Sequence, residues 1–290
     1  MILVTGAGGT IGRELVDLLH ASGQPFRAMA RNPEETKLAK LPGEVWRQGD
    51  FAAPDSLHSA LDGIDSLFLL CGAQPRMDVL EINAIKAASQ AGVDRIVKIS
   101  VPNAAVDGRA ALQRLHGRVE AVIRDSALTW TVLRPNAFMQ NLYGPTQGFG
   151  AGRICRLPLG EAKYCFIDAQ DIAATAVAAL TEDGHEGKVY DLTGPEALSY
   201  AEAARIVARA TGEPFTFVDI PPQECRANLL AAGIDAWFVD EILEWFALFR
   251  HGRVGGVSDA VGTVSGRAPR ALSNFVHRNL ANFRMPSHQG

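Results

Sequence analysis

Met1-Ile2-Leu3-Val4-Thr5-Gly6-Ala7-Gly8-Gly9-Thr10-Ile11-Gly12 opens the chain and decides how the rest is read. Residues 2–5 read as a short buried strand, and Ile11, Leu15, Leu18 and Leu19 then recur at helical spacing. Between them lies a turn with glycines at positions 6, 9 and 12. Each glycine has its own duty: Gly6 permits the tight turn, Gly9 lets the backbone approach a pyrophosphate, and Gly12 lets the helix pack closely on its sheet. The N–H groups of the first helical turn, at Thr10 and Ile11, have no partner within the helix and offer partial positive charge to an anion. Any sharp connection from strand to helix uses glycine. Three at this spacing, directly after an amino-terminal strand, predict a dinucleotide site.

Working outward, apolar runs at 26–30, 44–48, 66–70, 95–100 and 129–133 alternate with helical patterns. One such pattern is Val79, Ile82, Ile85, Ala88 and Ala91, stopped by Gly92. Alternation of this kind predicts an α/β fold, a doubly wound parallel sheet of the Rossmann type covered on both faces. Right-handed crossovers place every strand's carboxyl end on one edge, where ligands bind. After Pro135 the rhythm changes, and residues 136–165 read as a loop-rich excursion. Asp171 reads as the N-cap of a helix over 172–180, and 188–192 as a strand returning to the sheet. Gly194-Pro195 breaks the chain before helical stretches near 200–210 and over 223–249. The latter carries Trp237, Phe238, Trp245, Phe246 and Phe249, a cluster suited either to flooring an apolar pocket or to domain packing. Residues 252–266 read as a flexible connection, with a last amphipathic helix before Pro286. The expected organisation is a nucleotide-binding domain over 1–134, joined by a helix and strand near 166–192. A smaller substrate domain takes 135–165 and 193–290.

Composition excludes several classes. Lys plus Arg number 28 against 32 Asp plus Glu, a formal charge of −4 with no basic run, which disfavours nucleic acid or an anionic membrane as partner. No stretch approaches the roughly 20 apolar residues of a bilayer span. The four cysteines are widely spaced without a C-x-x-C pair, and the seven histidines form no zinc-ligand spacing, so reduced thiols and no metal are expected. Because the strand begins at Ile2, no room is left for a targeting peptide, and the compartment is read as cytoplasmic. Monomer and homodimer are both left open.

Further positions fall on the ligand edge. Arg31 ends the second strand, nineteen positions after Gly12. An acid there would suit a ribose 2′-hydroxyl, whereas an arginine suits a 2′-phosphate, so NADP(H) is expected; a solvated strand-end arginine is the plain alternative. Asp50 and Phe51 close the third strand, where Asp50 could accept from an adenine amino group with Phe51 beside the ring; the plain alternative is an N-cap for the helix near Pro54-Asp55, a role that Asp55 or Ser56 suits better. Cys71-Gly72 ends the fourth, where a small residue lets a ribose come close; a structural reason for the glycine is the equal alternative.

Read together, these features resemble the NmrA-like family of atypical short-chain dehydrogenase/reductases. The resemblance extends through Asp94-Arg95-Ile96-Val97-Lys98-Ile99-Ser100, His116-Gly117-Arg118-Val119-Glu120, the stretch from Arg124 to Leu142 around Trp130-Thr131-Val132-Leu133-Arg134-Pro135-Asn136, Phe166-Ile167-Asp168-Ala169-Gln170-Asp171, and Leu192-Thr193-Gly194-Pro195. It implies an NADP(H)-binding Rossmann domain with a smaller carboxyl-terminal domain. It also implies that the loop from Pro135 and Asn136 walls the nicotinamide, with Phe138 and Met139 facing substrate.

Typical short-chain dehydrogenases carry Y-x-x-x-K, the lysine lowering the tyrosine pKa for proton transfer. Here Tyr143, Tyr164, Tyr190 and Tyr200 are followed four places on by Gln147, Asp168, Gly194 and Ala204. Alcohol dehydrogenation and epimerisation thereby lose their proton carrier. NmrA-like members with this lack include reductases of quinones, azo compounds and other conjugated acceptors, and non-catalytic sensors of the cofactor. The reading is an NADPH-dependent reductase of a small, apolar, electron-poor substrate; an NADP(H)-sensing regulator is the alternative. Two candidate catalytic residues stand out. His116 borders the stripe Leu112, Leu115, Val119, Val122, Ile123 and lies one turn from Glu120, which could hold it protonated as an acid. Ser100, at the end of the fifth strand, could touch the nicotinamide ribose or the substrate. Structural roles for both remain open, and Asp168 and Asp171 read as structural.

Overall fold

The computed structural model describes residues 1–33, 41, 43–144, 146–149, 153–252 and 255–284. The chain divides into two compact units. Met1–Pro135, Ala169–Leu192 and Ala260–Arg267 form the first; Asn136–Asp168, Thr193–Asp259 and Ala268–Gly290 form the second.

The first unit is a parallel sheet covered by helices. Its strands are β1 (Ile2–Val4), β2 (Phe26–Ala30), β3 (Trp46–Gln48), β4 (Ser66–Leu69), β5 (Arg95–Ile99) and β6 (Thr129–Pro135). After β7 (Ile154–Leu157), which belongs to the second unit, β8 (Lys188–Leu192) returns to complete seven strands in the order β3-β2-β1-β4-β5-β6-β8. Every pairing is parallel, with Val4 opposite Ala28 and Phe68, and Val97 opposite Phe68 and Thr131. The centre of such a sheet faces helices on both sides, which is why β1 and most of β4 and β5 are buried rather than alternating. Strand order reverses between β1 and β4, so the crevice of a doubly wound sheet opens there.

The helices of this unit are α1 (Thr10–Ala21), α2 (Leu57–Leu61), α3 (Met77–Gln90), α4 (Ala111–Arg124), α5 (Ala169–Thr181) and, later in the chain, α9 (Ala260–Ser265). In α1 the stripe Ile11, Leu15, Val16 and Leu19 is buried, and Gly23 at φ +68° turns the chain back. The buried face of α3 differs from the expected one. It runs Met77, Asp78, Glu81, Ala84, Ile85, Ala87 and Ala88, while Val79 is 38% exposed. Burial of acids on that face is explained by the cations they meet. Asp171 is also not an N-cap: α5 already starts at Ala169, which leaves Asp171 inside its first turn.

The second unit holds α6 (Tyr200–Thr211), α7 (Pro222–Ala231), α8 (Ala236–Arg250), α10 (Leu272–Arg278) and α11 (Leu280–Phe283), with β7 paired in parallel to β9 (Thr216–Asp219). The single helical stretch expected over 223–249 is two helices. Gly233 at φ +78° ends the first, and Asp235 caps the second by accepting from the Phe238 N–H at 3.2 Å. Most of the aromatic cluster packs inward: Phe246 and Phe249 are core, with Phe238 and Trp245 against them, while Trp237 is half-buried outside that core. The flexible connection expected over 252–266 contains α9, which belongs to the first unit rather than to the smaller one because its apolar residues Val261 and Val264 are buried and it lies on α5 and β8. Glu34 and Pro286 lie outside the described residues. Among the described residues, no helix is long and apolar enough to cross a membrane.

Candidate functional site

The turn between β1 and α1 takes the shape that its glycines allow. Gly6 sits at φ +61°, and a Cβ on it would stand 3.0 Å from the Leu70 carbonyl oxygen. Gly12 admits no side chain at all, since a Cβ there would lie 2.1 Å from the Gly6 oxygen and 2.7 Å from the Ala7 Cα. The Gly9 N–H closes the turn on the Gly6 carbonyl at 2.9 Å, and Gly9 caps α1 without a side-chain acceptor. The first-turn N–H groups of Thr10, Ile11 and Gly12 therefore keep the positive end of the helix for an outside anion. No acid stands in that turn to compete. Thr5, which the sequence reading passed over, braces the crevice. Its one hydroxyl proton is shared between the Phe68 and Leu70 carbonyls, at 2.9 and 3.2 Å, and its oxygen accepts from the Leu70 N–H at 2.9 Å, tying the ends of β1 and β4 together.

Along the same edge, Arg31 follows β2 and is exposed, with its carbonyl accepting from Gln48 at 3.2 Å. Its charge is felt at Cys71, beyond β4, where it helps lower a thiol pKa that burial and then Glu81 have raised. Gly72 follows, and a Cβ on it would meet nothing within 4 Å. Packing within the protein therefore does not ask for a glycine there, whereas an approaching ribose would. These features fit a dinucleotide: a clash-limited cradle, an open helix end, a free approach at Gly72 and an exposed guanidinium.

Phe51 does not present itself as expected, whereas Asp50 is half-buried with one carboxylate oxygen engaged in a local turn. The Asp50 Oδ1 accepts from the Ala52 N–H at 2.9 Å, and its carbonyl accepts from Ala53 and from the Ser56 hydroxyl, so Asp50 builds a turn. Phe51 is packed in the core with Met29, Leu57 and Leu61, because an aromatic ring just past a strand gains more from that cluster than from water.

Beneath the carboxyl ends of β4, β5 and β6 lie two buried polar groups. In the first, Lys98 and Glu81 are both wholly buried and paired at 2.9 Å. The Glu81 Oε1 also accepts from the Cys71 N–H at 3.1 Å, and Lys98 donates to the Ile99 carbonyl and meets the His116 Nδ1 at 3.2 Å. Burial lifts the Glu81 carboxyl above its ordinary range, with Lys98 pulling it back. Burial, then the charges of Lys98 and Arg134, push His116 well below its usual pKa. In the second group, Glu120 accepts from Ser100 at 2.6 Å, from Arg134 at 2.6 and 3.0 Å and from Arg124 at 2.6 Å. Burial alone would raise Glu120; the hydrogen bonds of Arg134 and Ser100 outweigh it and hold the carboxylate ionised.

These contacts correct two expectations. His116 does not pair with Glu120, whose oxygens are taken by Ser100 and the arginines, and a neutral ring beside Lys98 and Arg134 is no store of a proton. The Ser100 hydroxyl is buried and spends its proton on Glu120. Glu81, Lys98 and Arg134 were missed, although a lysine inside the apolar run 95–100 is a signal that a buried partner must exist.

The remaining candidates follow β6. Pro135 is its last residue, paired with Leu192, and Asn136 is buried, its side-chain oxygen accepting from the Ala137 N–H at 2.8 Å. Phe138 is half-buried and bridges Ile167. Met139, expected to face substrate, is 1% exposed in the second unit's core, where the start of a 3-10 turn points it inward.

Known proteins resemble this chain over most of its length. An NAD(P)H-binding family matches residues 6–183. The chain is 36% identical over 283 residues to the NAD(P)H azoreductase of Xenophilus azovorans, covering 98% of this chain and 99% of that protein. It is also 36% identical over 232 residues to the (4-alkanoyl-5-oxo-2,5-dihydrofuran-3-yl)methyl phosphate reductase of Streptomyces griseus, covering 80% and 81% of the two. The NADPH-dependent quinone oxidoreductase of Escherichia coli, solved with NADPH, superposes with a TM-score of 0.85 at 25% identity, over 97% of this chain and all of that one. The chain thus belongs to the NAD(P)H-binding family, among its NmrA-like atypical short-chain dehydrogenase/reductases, and is an NAD(P)H-dependent oxidoreductase.

Proposed function

We propose that this oxidoreductase prefers NADPH and reduces a small, largely apolar, electron-poor organic acceptor such as a quinone, an azo compound or an enone. The observation that carries the reading is the exposed Arg31 at the end of β2, on the edge where α1 presents its uncapped first turn. Gly6, Gly9 and Gly12 with the N–H groups of Thr10 and Ile11 would hold the pyrophosphate, Arg31 the 2′-phosphate, and the Cys71-Gly72 turn the ribose. Asn136 and Phe138, leaving the carboxyl end of β6, are assigned to the nicotinamide and substrate side. When bound, NADPH supplies a hydride. The residues near the sheet edge bind and orient and keep water out, while none of the described ones offers a tyrosine hydroxyl set against a lysine. Conjugated acceptors suit such a site because they take hydride directly and gain their proton late, from water. The azoreductase and the dihydrofuranyl phosphate reductase among the relatives both carry names of conjugated acceptors, which supports the class.

The test is NADPH consumption with a quinone, an azo dye and an enone, alongside binding of both coenzymes by calorimetry. Turnover on at least one acceptor is expected, faster with NADPH than with NADH. Arg31→Ala should weaken NADPH by roughly ten- to a hundredfold, the worth of a charge-assisted contact, and leave NADH nearly unchanged. Equal losses for both coenzymes would remove the 2′-phosphate role. Tight NADPH binding with no turnover on any acceptor would replace the reductase with a cofactor-sensing regulator.

A further inference from the structure

A lysine ammonium has three donors and no acceptor. The His116 Nδ1 that meets Lys98 at 3.2 Å must therefore accept, which leaves the proton of the ring on Nε2. Lys98 is held for this task from two other sides, by Glu81 at 2.9 Å and by the Ile99 carbonyl. Glu81 in turn accepts from the backbone of Cys71 at 3.1 Å, so one hydrogen-bonded path runs from the turn after β4, through a carboxylate and an ammonium, to an imidazole on α4. All three side chains are buried, and Lys98 lies one residue from the carboxyl end of β5. A charge pair inside an apolar layer is expensive and needs a reason beyond packing. The second oxygen of Glu81 is buried without a partner among the described residues, so the carboxylate is only partly satisfied by its contacts with Lys98 and Cys71.

We infer that Glu81 and Lys98 are positioning residues, which fix His116 as the Nε2–H tautomer and couple it to the Cys71-Gly72 turn. This rests on the proposed binding of NADPH at that turn, and it gives His116 the part of an uncharged hydrogen-bond donor in place of the acid expected from sequence. The groups acting on the ring are Lys98 from β5, Arg134 from β6, Glu81 from α3 through Lys98, and Glu120 from α4 itself, whose charge is spent on Arg134 and Arg124. The sum leaves the ring neutral where an ordinary histidine would titrate.

The experiment is nitrogen–proton correlation of the histidine side chains in the full chain, first without and then with saturating NADP⁺. His116→Gln identifies the signal among the seven histidines. The His116 ring should be the Nε2–H tautomer and show no protonation from about pH 5.5 to 8, the window in which histidines commonly titrate. Its Nε2–H signal should shift when NADP⁺ binds. In the Glu81→Gln/Lys98→Met double variant, which removes both charges together so that neither is stranded, the ring should begin to titrate toward acid. The NADP⁺-induced shift should be lost although calorimetry still shows NADP⁺ bound, and turnover should fall about three- to tenfold and acquire an acid limb. An Nδ1–H tautomer, ordinary titration in the wild type, or a signal indifferent to bound NADP⁺ would overturn the inference. The wild-type measurements stand even if the double variant does not fold. Failure of NADP⁺ to bind at all would instead count against the proposed function, which calorimetry reports separately.

Discussion

Beneath its sheet edge the first unit buries paired charges, while much of the second unit's core is built of stacked aromatic rings. Beneath the sheet edge, Lys98, Glu81 and Glu120 are each fully buried, with every cation facing a carboxylate. In the second unit, Tyr164 stacks on Phe249 with ring centroids 3.9 Å apart and meets Tyr200 edge to face at 5.3 Å. The hydroxyls of both tyrosines are buried there without a partner among the described residues, and burial pushes both phenols well above their ordinary pKa. One core is specified by directional bonds that place backbone and side chains at a ligand edge. The other is held by area and shape. The difference teaches where a single substitution acts through geometry and where it acts through packing.

Glu120→Ala should break the first arrangement most. It strands Arg134, Arg124 and Ser100, and removing one partner of a buried charged cluster costs about 3–5 kcal/mol. Chemical denaturation should show a loss of that order. A loss below about 1 kcal/mol would mean that the arginines find water, and that the contrast between the two cores is smaller than drawn.

Gly12→Ala comes next, at about 1–3 kcal/mol, because its methyl would overlap backbone atoms that cannot move independently. Gly72→Ala provides the control on the same edge. With open space around it, this change should leave the melting temperature of the cofactor-free protein unaltered while weakening NADPH. If both variants lost stability alike, the freedom at Gly72 would belong to the fold and not to a ligand.

The smallest effect is expected in the second unit. Tyr200→Phe removes a hydroxyl without a partner among the described residues and keeps the ring that packs, so stability should change by less than about 1 kcal/mol, in either direction. A loss of 2 kcal/mol or more in thermal unfolding would reveal a hidden partner, such as an ordered water.

How much could be read beforehand follows the same division. The turn between β1 and α1 was legible because its glycines answer to local backbone geometry: a positive φ at Gly6 and a near contact at Gly12 are properties of a dozen consecutive residues. The parallel order followed from alternating patterns. Errors came where a residue's role depends on a distant partner. Val79 looked like the buried side of α3, but Asp78 and Glu81 hold that side because Arg118 and Lys98 meet them. Glu120 is one helical turn from His116, which made the two look like partners; Arg134, fourteen positions further on, claims the carboxylate instead. Phe51 and Met139 lie beside ligand-edge strands in sequence, yet each is drawn into a core assembled from several elements.

From its sequence alone, the chain determines a strand, a glycine turn and a helix end suited to a phosphorylated dinucleotide, with arginine where an acid would choose NAD. Those features depend on neighbours within one turn, where bond geometry leaves few alternatives. Tertiary structure alone decided which buried charge faces which, and with it that burial and the charges of Lys98 and Arg134 push the His116 pKa well below its usual value. Charges pair across whatever elements folding brings together, and their reach through space does not respect their order along the chain.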